Sequence, residues 1–301
     1  MNGSKKSRMD RKELSSPRDR YFSSESLTLH YTEWGDPGQD TLVLVHGIRD
    51  QCRSWDFFVT KLFEGYGPAH VAALDLRGHG DSAWSMLGRG YQHQDYLRDL
   101  GALCRDLGKD SITLVGHSLG ASMSVLFAGC FPEKVGNLVL IESVGPFARA
   151  DDELPKLLAQ WLEWERFQEE FFFYSSPKEA ARAIQKKFPL IPDASAVHMS
   201  RHGTKATDRG LIWKYDPRVR IPSFSTFSEG QVRAFIERIG CPTLVIYGGE
   251  SDFSKAKRAV RAPLFKRHKV VEISGCGHHV QHEMPGELAR VMGDFLRDGS
   301  D

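Results

Sequence analysis

Short, almost wholly apolar runs recur along this chain, separated by stretches whose apolar residues fall at helical spacing. The runs are 41–45, 70–76, 111–115, 135–141, 241–247 and 269–273, and the helical stretches lie around 55–64, 91–107, 121–131 and 287–296. A strand that is apolar on both faces must be covered on both faces. Strands of that kind alternating with helices build a parallel sheet between two helical layers, so the expected fold class is α/β. The pattern breaks near Gly145-Pro146 and resumes at Cys241-Pro242. The gap of about ninety residues reads as helical with no strand of its own.

These breaks divide the chain into a disordered polar tail over 1–24, a core formed by 25–146 and 238–301, and an inserted helical lid over 147–237. A lid helix is expected over 153–174, where Leu154, Leu157, Leu158, Trp161, Leu162, Phe167 and Phe171 form an apolar stripe. Some of its aromatic residues, Trp161 first, are candidates for contact with a substrate.

Composition removes several classes of function. Lys plus Arg total 40 against 39 Asp plus Glu in 301 residues, so no net field draws the chain to nucleic acid or an anionic membrane. A small-molecule partner is the remaining expectation. The five cysteines are odd in number and form no C-x-x-C pair, which reads as reduced thiols in a cytoplasmic protein. Residues 1–20 hold seven Lys or Arg and three Asp or Glu without the apolar stretch of a secretory signal. No run approaches the roughly 18 apolar residues of a membrane span.

The chemistry centres on Gly116-His117-Ser118-Leu119-Gly120, which follows an apolar strand and precedes a helix. Small residues two places either side of a serine let the chain turn sharply and hold Oγ out at the top of a sheet. Serine is a weak nucleophile at neutral pH, so it needs a histidine to take its proton and a carboxylate to hold that histidine. His278, in Gly275-Cys276-Gly277-His278-His279, follows the last strand and is the expected base. Asp252 follows the strand before it and is the assigned acid. Glu142, just after the strand over 135–141, is the alternative. Asp81, Asp151 and Asp152 read as turn or helix-start charges. His278, His279 and His282 could suggest a metal, but no matching Cys or acidic ligand set accompanies them, so neither metal nor cofactor is expected.

Four motifs together resemble the α/β-hydrolase superfamily over roughly residues 25 to 298. They are His46-Gly47 after an early strand, Asp75-Leu76-Arg77-Gly78-His79-Gly80-Asp81-Ser82, the turn around Ser118, and Gly277-His278 followed by Glu283-Met284-Pro285. Within the superfamily, Thr204-Lys205-Ala206-Thr207-Asp208 and Trp213-Lys214-Tyr215-Asp216 are similar to serine hydrolase-like proteins. The resemblance implies a mostly parallel sheet with a helical lid, and an oxyanion hole from the backbone N–H groups of Ile48 and Leu119. His46, Gly47, Trp161 and His279 are the implied substrate neighbours. A serine nucleophile differs from the dehalogenases and epoxide hydrolases of the superfamily, which use an aspartate there. The implied activity is a serine hydrolase cleaving a carboxylic ester or related acyl bond of a small, hydrophobic substrate. Carbon–carbon bond hydrolysis of a diketone, or a ligand-binding receptor that retains the fold, are the alternatives.

Overall fold

The computed structural model describes residues 16–85, 91–163, 170–253 and 255–298. The chain runs β1 (Arg18–Ser24), β2 (Leu27–Trp34), β3 (Thr41–Val45), α1 (Asp56–Gly65), β4 (His70–Leu74), α2 (His93–Asp106), β5 (Ile112–His117), α3 (Leu119–Cys130) and β6 (Val135–Ile141). A long insertion follows, with α4 (Leu154–Leu162), α5 (Pro177–Lys187), α6 (Asp193–Gly203), β7 (Thr204–Thr207) and β8 (Gly210–Trp213). The chain returns through α7 (Glu229–Arg238), β9 (Thr243–Gly248), α8 (Lys255–Arg261), β10 (His268–Ile273), α9 (Val280–Glu283) and α10 (Pro285–Asp298).

The main sheet has eight strands in the order β1-β2-β4-β3-β5-β6-β9-β10. It is parallel from β4 to β10, while β1 and β2 pair antiparallel at one edge. The expected α/β class with a mostly parallel sheet is therefore the observed one. Successive strand residues alternate between two cores. Val43, Val45, Leu138 and Leu140 face the layer of α2, α3 and α7, whereas Leu42, Leu44, Val139 and Ile141 face α1 and α10. Helix α1 follows the same logic, burying Phe58, Val59 and Leu62 against Leu288, Met292 and Phe295 of α10. Each such side chain contributes about 1.5–3 kcal/mol on burial.

Chain order reverses at β3, since β4 lies on one side of it and β5 on the other. Loops leaving the carboxyl ends of strands diverge at such a point and open a crevice there. The loops after β3 and β5 carry His46-Gly47 and Ser118, and both border it.

The structure corrects three boundaries. Arg18–Ser24, expected within the disordered tail, form β1, which buries Phe22 and pairs Arg18 and Arg20 with Glu33 of β2. The helix expected over 153–174 ends at Leu162, and Phe167 lies outside the described residues. Tyr174 instead exchanges backbone hydrogen bonds with Leu211 of β8, in keeping with the strand preference of the aromatic run from Phe171. The stripe on α4 packs no core, as Leu154, Leu158 and Leu162 are all exposed. The insertion also holds a hairpin, β7–β8, where no strand was expected. Helix α7 buries Val232 and Ile236 in the main core.

Candidate active site

Ser118 sits between β5 and α3 with φ 52° and ψ −111°, a conformation L-residues rarely adopt. The flanking glycines permit it by close approach. A Cβ on Gly116 would lie 2.5 Å from the backbone of Ala121, and one on Gly120 would lie 2.2 Å from the carbonyl oxygen of Val45. The turn thus packs directly on the end of β3. The Ser118 N–H donates to the carbonyl of Ile141 on β6 at 2.9 Å, fixing the turn to the neighbouring strand.

His278 and Ser118 share the wall of a cavity of about 780 Å³. Nδ1 of His278 lies 2.9 Å from Oε2 of Glu142. A carboxylate only accepts, so Nδ1 carries a proton, and in the neutral imidazole Nε2 keeps its lone pair. The imidazole is flanked by His117 and Phe253, with ring centroids 4.9 and 4.4 Å away.

Glu142 is wholly buried and has a left-handed backbone, φ 65°. Its Oε1 accepts from the N–H of Gly248 at 2.8 Å, and Oε2 accepts from the hydroxyl of Ser251 at 2.5 Å. Arg258 places Nη2 3.5 Å from Oε1, donates to the carbonyls of Ser251 and Phe253, and lies over the ring of Tyr247. Glu142 is therefore a buried carboxylate whose lone pairs are taken up, the condition under which burying a charge is tolerable. Asp252, the carboxylate assigned from the sequence, is exposed on the loop after β9 and does not line the cavity. Sequence reasoning missed Ser251 and Arg258, although Ser251 lies inside the very segment that suggested Asp252.

His117 pins the loop of His278 to the serine turn. Its Nε2 donates to the backbone carbonyl of His278 at 2.8 Å, and Nδ1 accepts from Nε2 of Gln281 at 3.2 Å. Burial, then the nearby His278 and His279, hold the imidazole well below its usual pKa, in keeping with this neutral tautomer. Burial, followed by His282 and His278, likewise lowers His279 to about 3. Asp50 anchors the same region. Burial would raise its pKa, but hydrogen bonding and charge from His282 hold it well below the carboxylate range.

The loop after β3 brings Gly47 against the turn, and a Cβ there would lie 3.3 Å from Cβ of Ser118. Ile48 and Leu119 line the cavity. Among the described residues the backbone N–H groups of Ile48 and Leu119 donate to no acceptor. The Leu119 N–H is one of the free donors that begin any helix.

The other expected neighbours divide. Gly47 and His279 line the cavity. His46 does not, because its ring is wholly buried, with Nδ1 2.7 Å from the Gly47 carbonyl oxygen and Nε2 accepting from the Leu76 N–H. Trp161 also lies away from the cavity wall and packs on Phe224 at 4.6 Å.

Two clusters have metal-like composition, His30 with Cys52 and Asp75, and Asp56 with His198 and His202. Burial, then the charge of Asp75, raise the Cys52 thiol far above its usual range. Both oxygens of Asp56 are already bonded by Arg53.

A family profile described as alpha/beta hydrolase fold matches residues 40–285. A serine hydrolase-like protein of Mus musculus is 26% identical over 287 residues, covering 88% of this chain and 90% of that one. An esterase of Mycobacterium tuberculosis is 27% identical over 271 residues, covering 87% and 84%. The crystal structure of a hypothetical protein from Pseudomonas aeruginosa superposes with a TM-score of 0.84 at 25% identity, covering 93% and 99%. By its family profile and by its relatives, the chain belongs to the alpha/beta hydrolase fold family and is a hydrolase.

Proposed function

We propose that the protein is a serine hydrolase that cleaves a carboxylic ester or related acyl bond of a small, largely apolar substrate, with Ser118, His278 and Glu142 as its triad. The observation that carries this reading is the buried Glu142 carboxylate on Nδ1 of His278, at the mouth of a strained serine turn. His278 Nε2 takes the Ser118 proton as Oγ attacks the carbonyl carbon. The resulting oxyanion rests on the N–H groups of Ile48 and Leu119, each contributing about 3 kcal/mol to the barrier reduction. The imidazolium, stabilised by Glu142, protonates the leaving alcohol as the acyl-enzyme forms. His278 then deprotonates a water, which releases the acid and restores Ser118.

Glu142 takes the acid role in preference to Asp252 on the strength of its contact with the imidazole. A serine at the turn favours acyl transfer over the aspartate chemistry of epoxide hydrolases. Residues 147–237, apart from α7, which packs into the main core, act as the lid, and Ile184, Phe188, Met199 and Tyr215 from this segment supply apolar wall.

The test is turnover of 4-nitrophenyl esters from acetate to decanoate. Saturable hydrolysis with a chain-length optimum is expected. Failure to cleave any ester, with cleavage of a vinylogous 1,5-diketone or tight ligand binding instead, would overturn the reading.

A further inference from the structure

The cavity wall is mostly apolar, with Phe147, Ile184, Phe188, Trp213 and Phe253 among its residues, yet it also holds four cations. Two of these are compensated. Nζ of Lys214 lies 2.8 Å from Asp81, and Arg149 lies 3.4 Å from Glu153. The other two, Arg49 and Lys187, make no ion pair or hydrogen bond among the described residues.

Among the described residues, the two acids of the cavity wall, Asp50 and Glu250, pair with neither cation. Asp50, next in sequence to Arg49, is buried and directed to Ser54, Gln51, Gln281 and His282. Glu250 lines the cavity from the loop after β9 and pairs with neither cation. Lys187 lies over the ring of Phe188, whose centroid is 5.1 Å from its Nζ. Burial and then the charge of Arg49 push the Lys187 ammonium below its usual pKa, as expected for two like charges held near one another.

Their placement is specific. Arg49 directly follows Ile48 and is held with φ 61°, so it leaves the loop beside the proposed oxyanion donor. Lys187 ends α5 in the insertion and faces the same cavity. Both side chains are exposed to the cavity they line, and an anionic group entering it would take charge-assisted hydrogen bonds from each.

We propose that Arg49 and Lys187 form a clamp for an anionic group on the substrate, so that the preferred substrate is an apolar acyl ester ending in a carboxylate or phosphate. This deepens the hydrolase reading and rests on it. Lys214 and Arg149 take no part in the clamp.

The test compares 4-nitrophenyl hexanoate with mono(4-nitrophenyl) adipate and with 4-nitrophenyl 5-phosphonopentanoate. Wild type is expected to favour an anionic ester over the neutral one by about tenfold or more in kcat/KM, with the ratio falling as salt rises. The better of the two anionic esters identifies the group. Arg49→Met and Lys187→Met should each bring the ratio toward one, and Arg233→Met, at an exposed cation outside the cavity wall, should keep it within about twofold of wild type. Calorimetric binding of the same esters to Ser118→Ala reads the clamp without turnover. Absence of turnover together with selective binding of the anionic esters would overturn the hydrolase reading and keep the clamp. Equal binding and equal turnover of neutral and anionic esters would overturn the clamp alone.

Discussion

Oε2 of Glu142 and Nδ1 of His278 lie 2.9 Å apart, joining residues 136 positions apart in sequence through the ends of β6 and β10. The carboxylate reaches the imidazole from the end of β6, not from the loop after β9 that carries Asp252. If this contact sets the tautomer of the base, removing its charge should be far more damaging than removing the charge of Asp252. Glu142→Gln is expected to lower kcat about 10³- to 10⁴-fold, and Asp252→Asn by less than about tenfold. Steady-state kinetics on one activated ester would decide, and the reverse ranking would return the acid role to Asp252.

Arg258 acts on the site through Glu142 and the carbonyls of Ser251 and Phe253. Arg258→Met should loosen that carboxylate and lower kcat by about 10- to 100-fold with KM little changed. Arg258→Lys should restore little, because an ammonium cannot reproduce the spread donors of a guanidinium. Full activity in both variants would show that Glu142 is held without it.

Gly120 faces backbone on the β3 side, with the Val45 and His46 carbonyl oxygens 2.2 and 2.7 Å from a notional Cβ. Neither atom can swing away as a side-chain end could. Gly120→Ala should therefore destabilise by about 1–3 kcal/mol and lower the calorimetric Tm by several degrees, with loss of activity as the turn shifts. An unchanged Tm would mean that the turn is more yielding than its packing indicates.

Acid should weaken the fold through its buried imidazoles. Burial, then the nearby His46, lowers His79 to about 3, and His279 has the same value, while His117 lies well below its usual range. A folded-state pKa below the unfolded value means that the unfolded chain binds more protons. The stability these groups contribute is thus fully present above about pH 6.5 and is lost as pH falls toward 3, by up to about 1.4 kcal/mol per pH unit for each group. His30 opposes this trend. Burial would lower its pKa, but Asp75 raises it, so its contribution is present at low pH and is lost as pH rises. Urea unfolding at pH 7.5 and 5.5 should show the lower stability at pH 5.5, and equal stability would contradict the balance.

The serine turn was legible because its determinants are local, a buried strand, two small residues at fixed offsets and a helix. The placement of His278 on the cavity wall was legible because Gly277-His278 falls directly after the last strand. The choice of a proposed acid was not, since β6 and β9 are neighbours in the sheet and a carboxylate just beyond either one has a similar path to His278. What separates Glu142 from Asp252 is the left-handed backbone at Glu142 and a hydrogen-bonded pocket assembled from Gly248, Ser251 and Arg258. No local pattern encodes that pocket. The hairpin β7–β8 escaped notice for another reason, since its strands are four residues each and the first is largely exposed and polar. Trp161 sits on a helix whose stripe suggested a buried face, but periodicity alone does not say which surface a stripe meets.

The nucleophile is tested most directly by treating wild type and Ser118→Ala with a fluorophosphonate and locating the adduct by peptide mass spectrometry. The account predicts one adduct, on the peptide containing Ser118, together with ester turnover in wild type, and neither adduct nor turnover in the variant. An adduct on another residue, or labelling and turnover that persist in Ser118→Ala, would contradict it.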